Sequence, residues 1–280
     1  MIKMNENTRK YNDLVRKIHQ GLDNSRNPRD TRRFIQLACS LEPLSEKEGL
    51  TTRSTNLNSH QKLEFFLAAG INIGDAFEDL AQRVLSSKRQ PEVIYDLGYQ
   101  AQLDSKKNRR GGRINHGIIE MLTPIVTAQL LFDPSHQLTT GEILRKTVEV
   151  LGNTSRKDVD YLIKLKRAAY DISGMFDRPV PPHGRARNVL EYYDLDLKDT
   201  KRYSSKIWDK EFTGGFPVTQ KFTEAMERSR KHSITKKVEE AFTIIRNSDH
   251  KNVVPAVTAD CVACGIYLYL SKNPKKMLIT

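Results

Sequence analysis

Long apolar runs are missing from this 280-residue chain. No stretch approaches 18 consecutive apolar residues, and residues 1–33 alternate charges where a secretory leader needs an apolar block. Neither a membrane span nor export is expected, and the sequence reads as cytoplasmic. Cysteine is scarce: Cys39, Cys261 and Cys264 are too few and too odd in number for a disulfide framework. Sustained apolar–polar alternation is lacking, which leaves little for a β-sheet. The common nucleotide signatures are missing as well. Gly112 and Gly117 keep the outer spacing of a P-loop, yet Ile118 and Ile119 follow where Lys and Ser or Thr should stand, and there is no Gly-x-Gly-x-x-Gly. His116 and Glu120 lie four apart without the His-Glu-x-x-His pattern of a zinc protease. Cys261-Val-Ala-Cys264 is a lone pair inside an apolar helical run, which suits buried packing of small side chains better than metal or redox work.

What is present is an ordinary globular composition, 38% apolar and 29% charged, with a basic excess. At roughly 150 residues per domain the length allows about two domains or one large helical one. No repeat and no linker forces a split, so we expect one helical domain over residues 1–280, with residues 1–30 as a basic N-terminal helical extension. The balance is 46 Lys+Arg against 34 Asp+Glu, or +12. Residues 1–35 carry nine basic and four acidic side chains and residues 104–116 five and one, so these two segments hold nine of the twelve excess charges. Such clusters attract phosphates, whether of nucleic acid, membrane or nucleotide.

Periodicity predicts helix almost throughout. Leu14, Val15, Ile18 and Leu22 form one stripe; after a break at residues 24–28 a second helix starts with Asp30 as its cap and ends before a loop over residues 42–59. One long amphipathic helix then runs from His60 to Leu85. A polar basic loop over residues 104–113 leads into an apolar helix kinked at Pro124. Thr140 is a candidate cap, and Ser155 with Asp158 makes a capping box. Pro179, Pro181 and Pro182 mark a loop, followed by helices over 188–193, 203–212, 219–230, 233–246 and 256–270. The expectation is an all-α, multi-helix fold with a central cleft, in which the helices beginning near His60 and Asn115 are neighbours.

Two constellations carry chemistry. A basic loop passing through Gly111 and Gly112 into a helix offers unpaired N–H groups and a positive dipole end to an anion. Arg110 and Arg113 would clamp it, with Asn115 and His116 bonding phosphate or ribose; a solvated basic loop explains the same residues. The second constellation is acidic. Asp75 and Asp79 share a helix face, which solvent exposure also explains. Glu42 closes an apolar helix before Glu46-Lys47-Glu48-Gly49, and Glu211 opens Glu211-Phe-Thr-Gly-Gly-Phe-Pro217. Carboxylates beside glycines and a basic loop suit a Mg²⁺–triphosphate.

Leu37-Ala-Cys-Ser-Leu-Glu42, Glu46-Lys-Glu-Gly49 and Leu63-Glu-Phe-Phe-Leu-Ala-Ala69 resemble the opening of the triphosphoribosyl-dephospho-CoA synthase family, especially its archaeal branch. Asn115-His-Gly-Ile-Ile119 with Pro124 resembles the family's Asn-centred helix start. Lys210-Glu-Phe-Thr-Gly-Gly-Phe-Pro217 is similar to its Glu-x-x-x-Gly-Phe motif, and Asp249 resembles its C-terminal aspartate. The likeness covers about residues 35–265. Glu48 replaces the proline of a Lys-Pro-Gly loop, Arg113-Ile114 precedes Asn115 where Asn or Thr is usual, and Asp249-His250 replaces an Asp-Thr pair.

The resemblance implies an all-helical transferase that moves the triphosphoribosyl group of ATP to a ribose hydroxyl of dephospho-CoA or a related acceptor and releases adenine. It assigns catalysis to Glu42 and Glu211. Lys47, Gly49, Arg53, Arg113, Asn115, His116 and Gly215 are the implied nucleotide contacts, and Glu42, Asp75, Asp79 and Asp249 the implied Mg²⁺ ligands. A nucleotide-binding relative without catalysis is the degenerate case. The competing class is a basic helical nucleic-acid-binding protein working through residues 1–35 and 106–113. Against it, aromatics are not interleaved with the basic residues, and no helix-turn-helix or zinc spacing occurs.

Overall fold

Each apolar stripe has to find a partner surface, and in the computed structural model five helices find it on one central helix. The structure describes residues 27–133, 136–177, 179–199, 206–247 and 255–272. The helices there are α1 (Pro28–Leu44), α2 (Leu63–Asn72), α3 (Gly74–Ser87), α4 (Tyr95–Asp104), α5 (His116–Leu130), α6 (Thr140–Gly152), α7 (Arg156–Ile172), α8 (Val189–Lys198), α9 (Lys206–Thr213), α10 (Pro217–Arg228), α11 (Ile234–Asn247) and α12 (Pro255–Lys272). Among the described residues the one β feature is an isolated bridge between Asn58 and Gln61, so the fold is all-α. No helix among them is long and apolar enough to cross a membrane. The stripe at Leu14–Leu22 and most of the basic extension, like Asp249, lie outside the described residues.

Helix α5 is buried on every side, as a helix without a polar face must be. It packs against α3, α4, α6, α7 and α12, while α12 also lies on α1 and α10. Pro124 sits inside α5 and has no N–H for the carbonyl of Glu120. The Tyr95 hydroxyl supplies the missing donor, 3.1 Å from that oxygen, and so ties α4 to the middle of the buried helix.

Several boundaries differ from the sequence expectation. The long helix from His60 is two helices broken at Ile73. The amide of Gln36 donates to the Ile71 carbonyl at 2.8 Å, and a Cβ at Gly74 would meet that same amide at 2.5 Å, so α1 wedges the break open. It is α3 that reaches α5; His60 instead meets the approach to Asn115 through its backbone, accepting from Gly112 N at 3.2 Å. Helix α1 is capped by Asn27 rather than Asp30, with Pro28 at its first turn, and it continues through Glu42 and Pro43. Thr139, not Thr140, caps α6 in a reciprocal box with Glu142, whereas the Ser155–Asp158 box opens α7 as expected. Helix α4 has no local cap: Asp158 accepts from Ile94 N at 2.8 Å and Tyr95 N at 2.9 Å across the fold.

Candidate active site

The N-terminus of α5 gathers the charged side chains. Asn115 occupies its cap position in the left-handed region, φ 59° and ψ 13°, where its side chain makes no capping bond. It is 4% exposed, and both amide atoms are buried without a partner. His116 follows, with Nε2 2.6 Å from Glu120 Oε1 and Nδ1 3.2 Å from Gln102 Oε1. Burial pulls its pKa down to about 4, outweighing the Glu120 carboxylate, so the imidazole is neutral near pH 7. Glu120 is fully buried and accepts from Lys166 Nζ at 2.8 Å and Tyr193 OH at 2.6 Å. Burial pushes its carboxyl up, but the buried Lys166 ammonium and His116 hold it well below the usual range. Tyr193 is itself stacked on Phe212 at 3.8 Å between ring centroids.

Around this turn stand three more ionisable groups. Arg113 is half-buried, its guanidinium 5.4 Å from the centroid of the Tyr170 ring. Asp260, from α12, takes a backbone hydrogen bond from Ile118 at the start of α5. Gly117 makes room for it: a Cβ there would collide with the Asp260 carboxylate and come within 2.7 Å of Trp208. Asp260 keeps part of its surface open. Burial raises its pKa to about 8; Arg113 opposes, and Glu42 and Glu120 add to the rise. Glu42, at the end of α1, has Lys47 Nζ 3.3 Å from Oε1, and that ammonium also bonds the carbonyls of Glu42 and Ser45. Burial raises the Glu42 pKa against the pull of Lys47. Four helices and the loops after α1 and before α5 thus bring Glu42, Lys47, Arg113, Asn115, His116, Glu120, Lys166 and Asp260 toward one place.

Other residues singled out from sequence stand elsewhere. Glu211 caps α10: it accepts from Val218 N at 2.8 Å, Thr219 N at 3.2 Å, Thr219 Oγ1 at 2.9 Å and Cys261 Sγ at 3.5 Å. Both oxygens are committed to the protein, because a buried helix start needs acceptors for its first N–H groups. Gly215, at φ +80°, makes the turn between Glu211 and that helix. Asp75 and Asp79 face outward, and Asp75 pairs with Arg32 at 2.7 Å. Arg32 lies ten residues before Glu42 on α1, about 15 Å along its axis, so this face does not meet the cluster. Arg53 is exposed and bonded to Glu46 at 2.8 Å and Glu239 at 3.5 Å; Gly49, at φ +77°, shapes an open hollow with Lys47, Glu48 and Thr52. In the basic loop, Arg109 bonds the carbonyls of Ser105, Arg110 and Gly112, and Lys106 that of Gly111 at 2.6 Å. Two of the cations that a nucleic-acid surface would need are spent on folding their own loop. Arg110 is exposed at its edge.

Cys261 and Cys264 are buried free thiols with raised pKa values, as small core side chains. Sequence reasoning missed Lys166 and Asp260, and set Glu120 aside with the absent zinc pattern. A lone Asp in the apolar run 256–270 and a lone Lys on the apolar stripe of α7 were the available signals, since neither is buried without a partner.

A family model described as CitG, ATP:dephospho-CoA triphosphoribosyl transferase, matches residues 28–246. The match covers every residue of the cluster except Asp260. None of the curated proteins and none of the solved structures compared is a match.

Proposed function

The chain belongs to the ATP:dephospho-CoA triphosphoribosyl transferase family, and from that premise we propose that the cluster at the start of α5 transfers the triphosphoribosyl group of ATP to a ribose hydroxyl of dephospho-CoA. The hydroxyl oxygen forms a bond to C1′ of the ATP ribose while the C1′–N9 bond breaks and its electron pair leaves with adenine. The hydroxyl proton passes to a carboxylate, and adenine takes up a proton from water. Asp260 is the residue for that proton: it is partly open, it is oriented by Ile118 N–H, and a pKa near 8 balances its ionised fraction against its basicity. Positive charge grows on the ribose as adenine departs, and the neighbouring carboxylates favour it.

Arg113 and the first turn of α5 supply positive potential for the triphosphate. Lys47 is buried and spent on Glu42 and the Glu42 and Ser45 carbonyls, so it holds that carboxylate in place. The Glu120–Lys166–Tyr193 group does not reach out to substrate; it fixes His116 and the pitch of the helix start. Among the described residues no three His, Cys, Asp or Glu side chains form a metal-ligand group. Mg²⁺ needs fewer, since it takes one or two carboxylates with phosphate oxygens and water. Glu42 fits that demand: its ionised form is disfavoured by burial, which a bound cation would offset, and Asp260 stays free to take the proton. Bound there, Mg²⁺ would neutralise triphosphate charge. Glu211, Gly215, Asp75, Asp79 and Arg53 have no part in this reading.

What carries it is the convergence of the anion-attracting start of α5 with a partly open carboxylate of raised pKa. The test is chromatographic detection of free adenine from ATP, Mg²⁺ and dephospho-CoA. Wild type should release adenine in proportion to acceptor, and Asp260→Asn should lower turnover by roughly 10²-fold or more. Wild type that binds ATP without releasing adenine would leave a nucleotide-binding relative.

A further inference from the structure

Asn115 is built in a way that local structure does not explain. As a helix cap it should sit in extended backbone and accept from the first turn, but it is left-handed and caps nothing. An amide carries two donors and a carbonyl acceptor, and here both ends are shut away from water with no protein partner. A phosphate offers only acceptors, so it would satisfy Nδ2 and leave Oδ1 bare. The missing partner must present a donor and an acceptor side by side. The Tyr170 ring, with the Arg113 guanidinium over it, and the Cη2 edge of Trp208 beside Gly117 stand at the same turn. A planar heterocycle with adjacent N–H and ring nitrogen matches the amide.

Resting on the transferase reading, we propose that Asn115 recognises the adenine of ATP along its N6–N7 edge, with Oδ1 accepting from the N6 amine and Nδ2 donating to N7, as amide side chains read adenine elsewhere. Access is from the side of Arg113 and Asp260, the two partly exposed groups of the turn. The same contact serves the chemistry. Adenine leaves with the electron pair of the C1′–N9 bond, and a donor at N7 strengthens as that charge spreads over the ring. Asn115 is thus both a specificity residue and a stabiliser of the leaving group.

Asn115→Gly separates this role from a structural one, because glycine accepts the positive φ without cost and removes the orphaned amide. The unliganded variant should melt at the same temperature as wild type or higher. Binding is then read by thermal shift for ATP, inosine triphosphate, which has an acceptor in place of the N6 donor, and 7-deaza-ATP, which lacks N7. Wild type should favour ATP over each by about tenfold or more, and Asn115→Gly should bind all three within about twofold. Asn115→Asp should repeat the loss, since it has no donor for N7. Base discrimination unchanged in Asn115→Gly overturns the proposal, as does an equal loss for all three nucleotides, which would place Asn115 on ribose or phosphate. Adenine release by wild type tests the transferase reading separately. If release occurs and discrimination does not depend on Asn115, only the present inference fails.

Discussion

Replacing Lys166 by Met would leave the Glu120 carboxylate in the dry interior with its cation gone. The ammonium is 2.8 Å from Glu120 Oε2, and the two side chains are 6% and 0% exposed, so solvent cannot take its place. Breaking such a pair costs about 3–5 kcal/mol. A second route gives a similar figure. The stranded carboxyl can take a proton instead, and at pH 7 that costs about 3.4 kcal/mol against an unfolded glutamate that titrates near 4.5, at 1.36 kcal/mol per unit. For a chain of this order the loss lowers Tm by roughly 6–20 °C. The sign of the pH dependence follows from the direction of the wild-type shift. A depressed carboxyl contributes stability above its unfolded pKa and loses it as pH falls through the folded value. In wild type that contribution is intact down to the unfolded value near 4.5, whereas in Lys166→Met the stranded carboxyl is raised and the cost of protonating it falls with pH, so the gap should be widest at pH 7 and shrink toward pH 4.5. Glu120→Gln combined with Lys166→Met should recover much of the loss. Thermal melts by circular dichroism across that range read all three; a gap below about 1 kcal/mol, or one that ignores pH, refutes the buried pair.

How much of this was legible follows from which forces act along the chain and which act across it. The all-α fold was readable because stripes recur at three and four residues, and the Ser155–Asp158 box because both its partners lie within one turn. Helix α4 was invisible: its cap is Asp158, over sixty residues away, and Gly98 weakens its local propensity. The break at Ile73 is fixed by Gln36 of another helix, and Gly74 is the local sign of it. At the site, the basic approach and Asn115 were visible because glycines and cations cluster before an apolar helix. Glu211 is ambiguous in the sequence, since an acid beside paired glycines reads equally as a ligand or as a cap; in the structure it accepts from Val218 N and Thr219 N. Asp260 went unnoticed for the opposite reason. It stands alone on an apolar helix, and its meaning arises only where Gly117 lets it reach the start of α5.

Glu211→Gln should lower stability by about 1–3 kcal/mol, because its amide end turns a donor toward backbone N–H groups, while adenine release per folded molecule stays at the wild-type level; loss of release at unchanged Tm would return Glu211 to the chemistry. Tyr95→Phe should cost about 1–3 kcal/mol by orphaning the Glu120 carbonyl, and much less in a Pro124→Ala background, where the restored N–H of residue 124 serves that carbonyl. A double-mutant cycle by denaturant unfolding that shows no coupling would rule out the substitution of Tyr95 for the helix bond. The last prediction concerns Asp260, which holds a proton in the folded protein up to about pH 8 but in the unfolded chain only to the ordinary 3.8. Folded protein then binds more protons than unfolded between those values, so this group makes stability fall as pH rises through the window, by an amount on the order of a few kcal/mol once its partial exposure is allowed for. His116 works in the other direction: its pKa of about 4 against 6.5 unfolded makes stability rise with pH across that lower interval, so the two oppose each other below pH 6.5 and Asp260 acts alone above it. Asp260→Asn should therefore melt higher than wild type at pH 8 to 9, with little difference near pH 4, while lowering by roughly 10²-fold or more the adenine release that in wild type climbs as pH rises toward 8. A variant that melts lower than wild type at pH 9, or a wild-type activity that declines through this range, would show that Asp260 is ionised and bound in the resting protein, and the proton would have to be taken by another group.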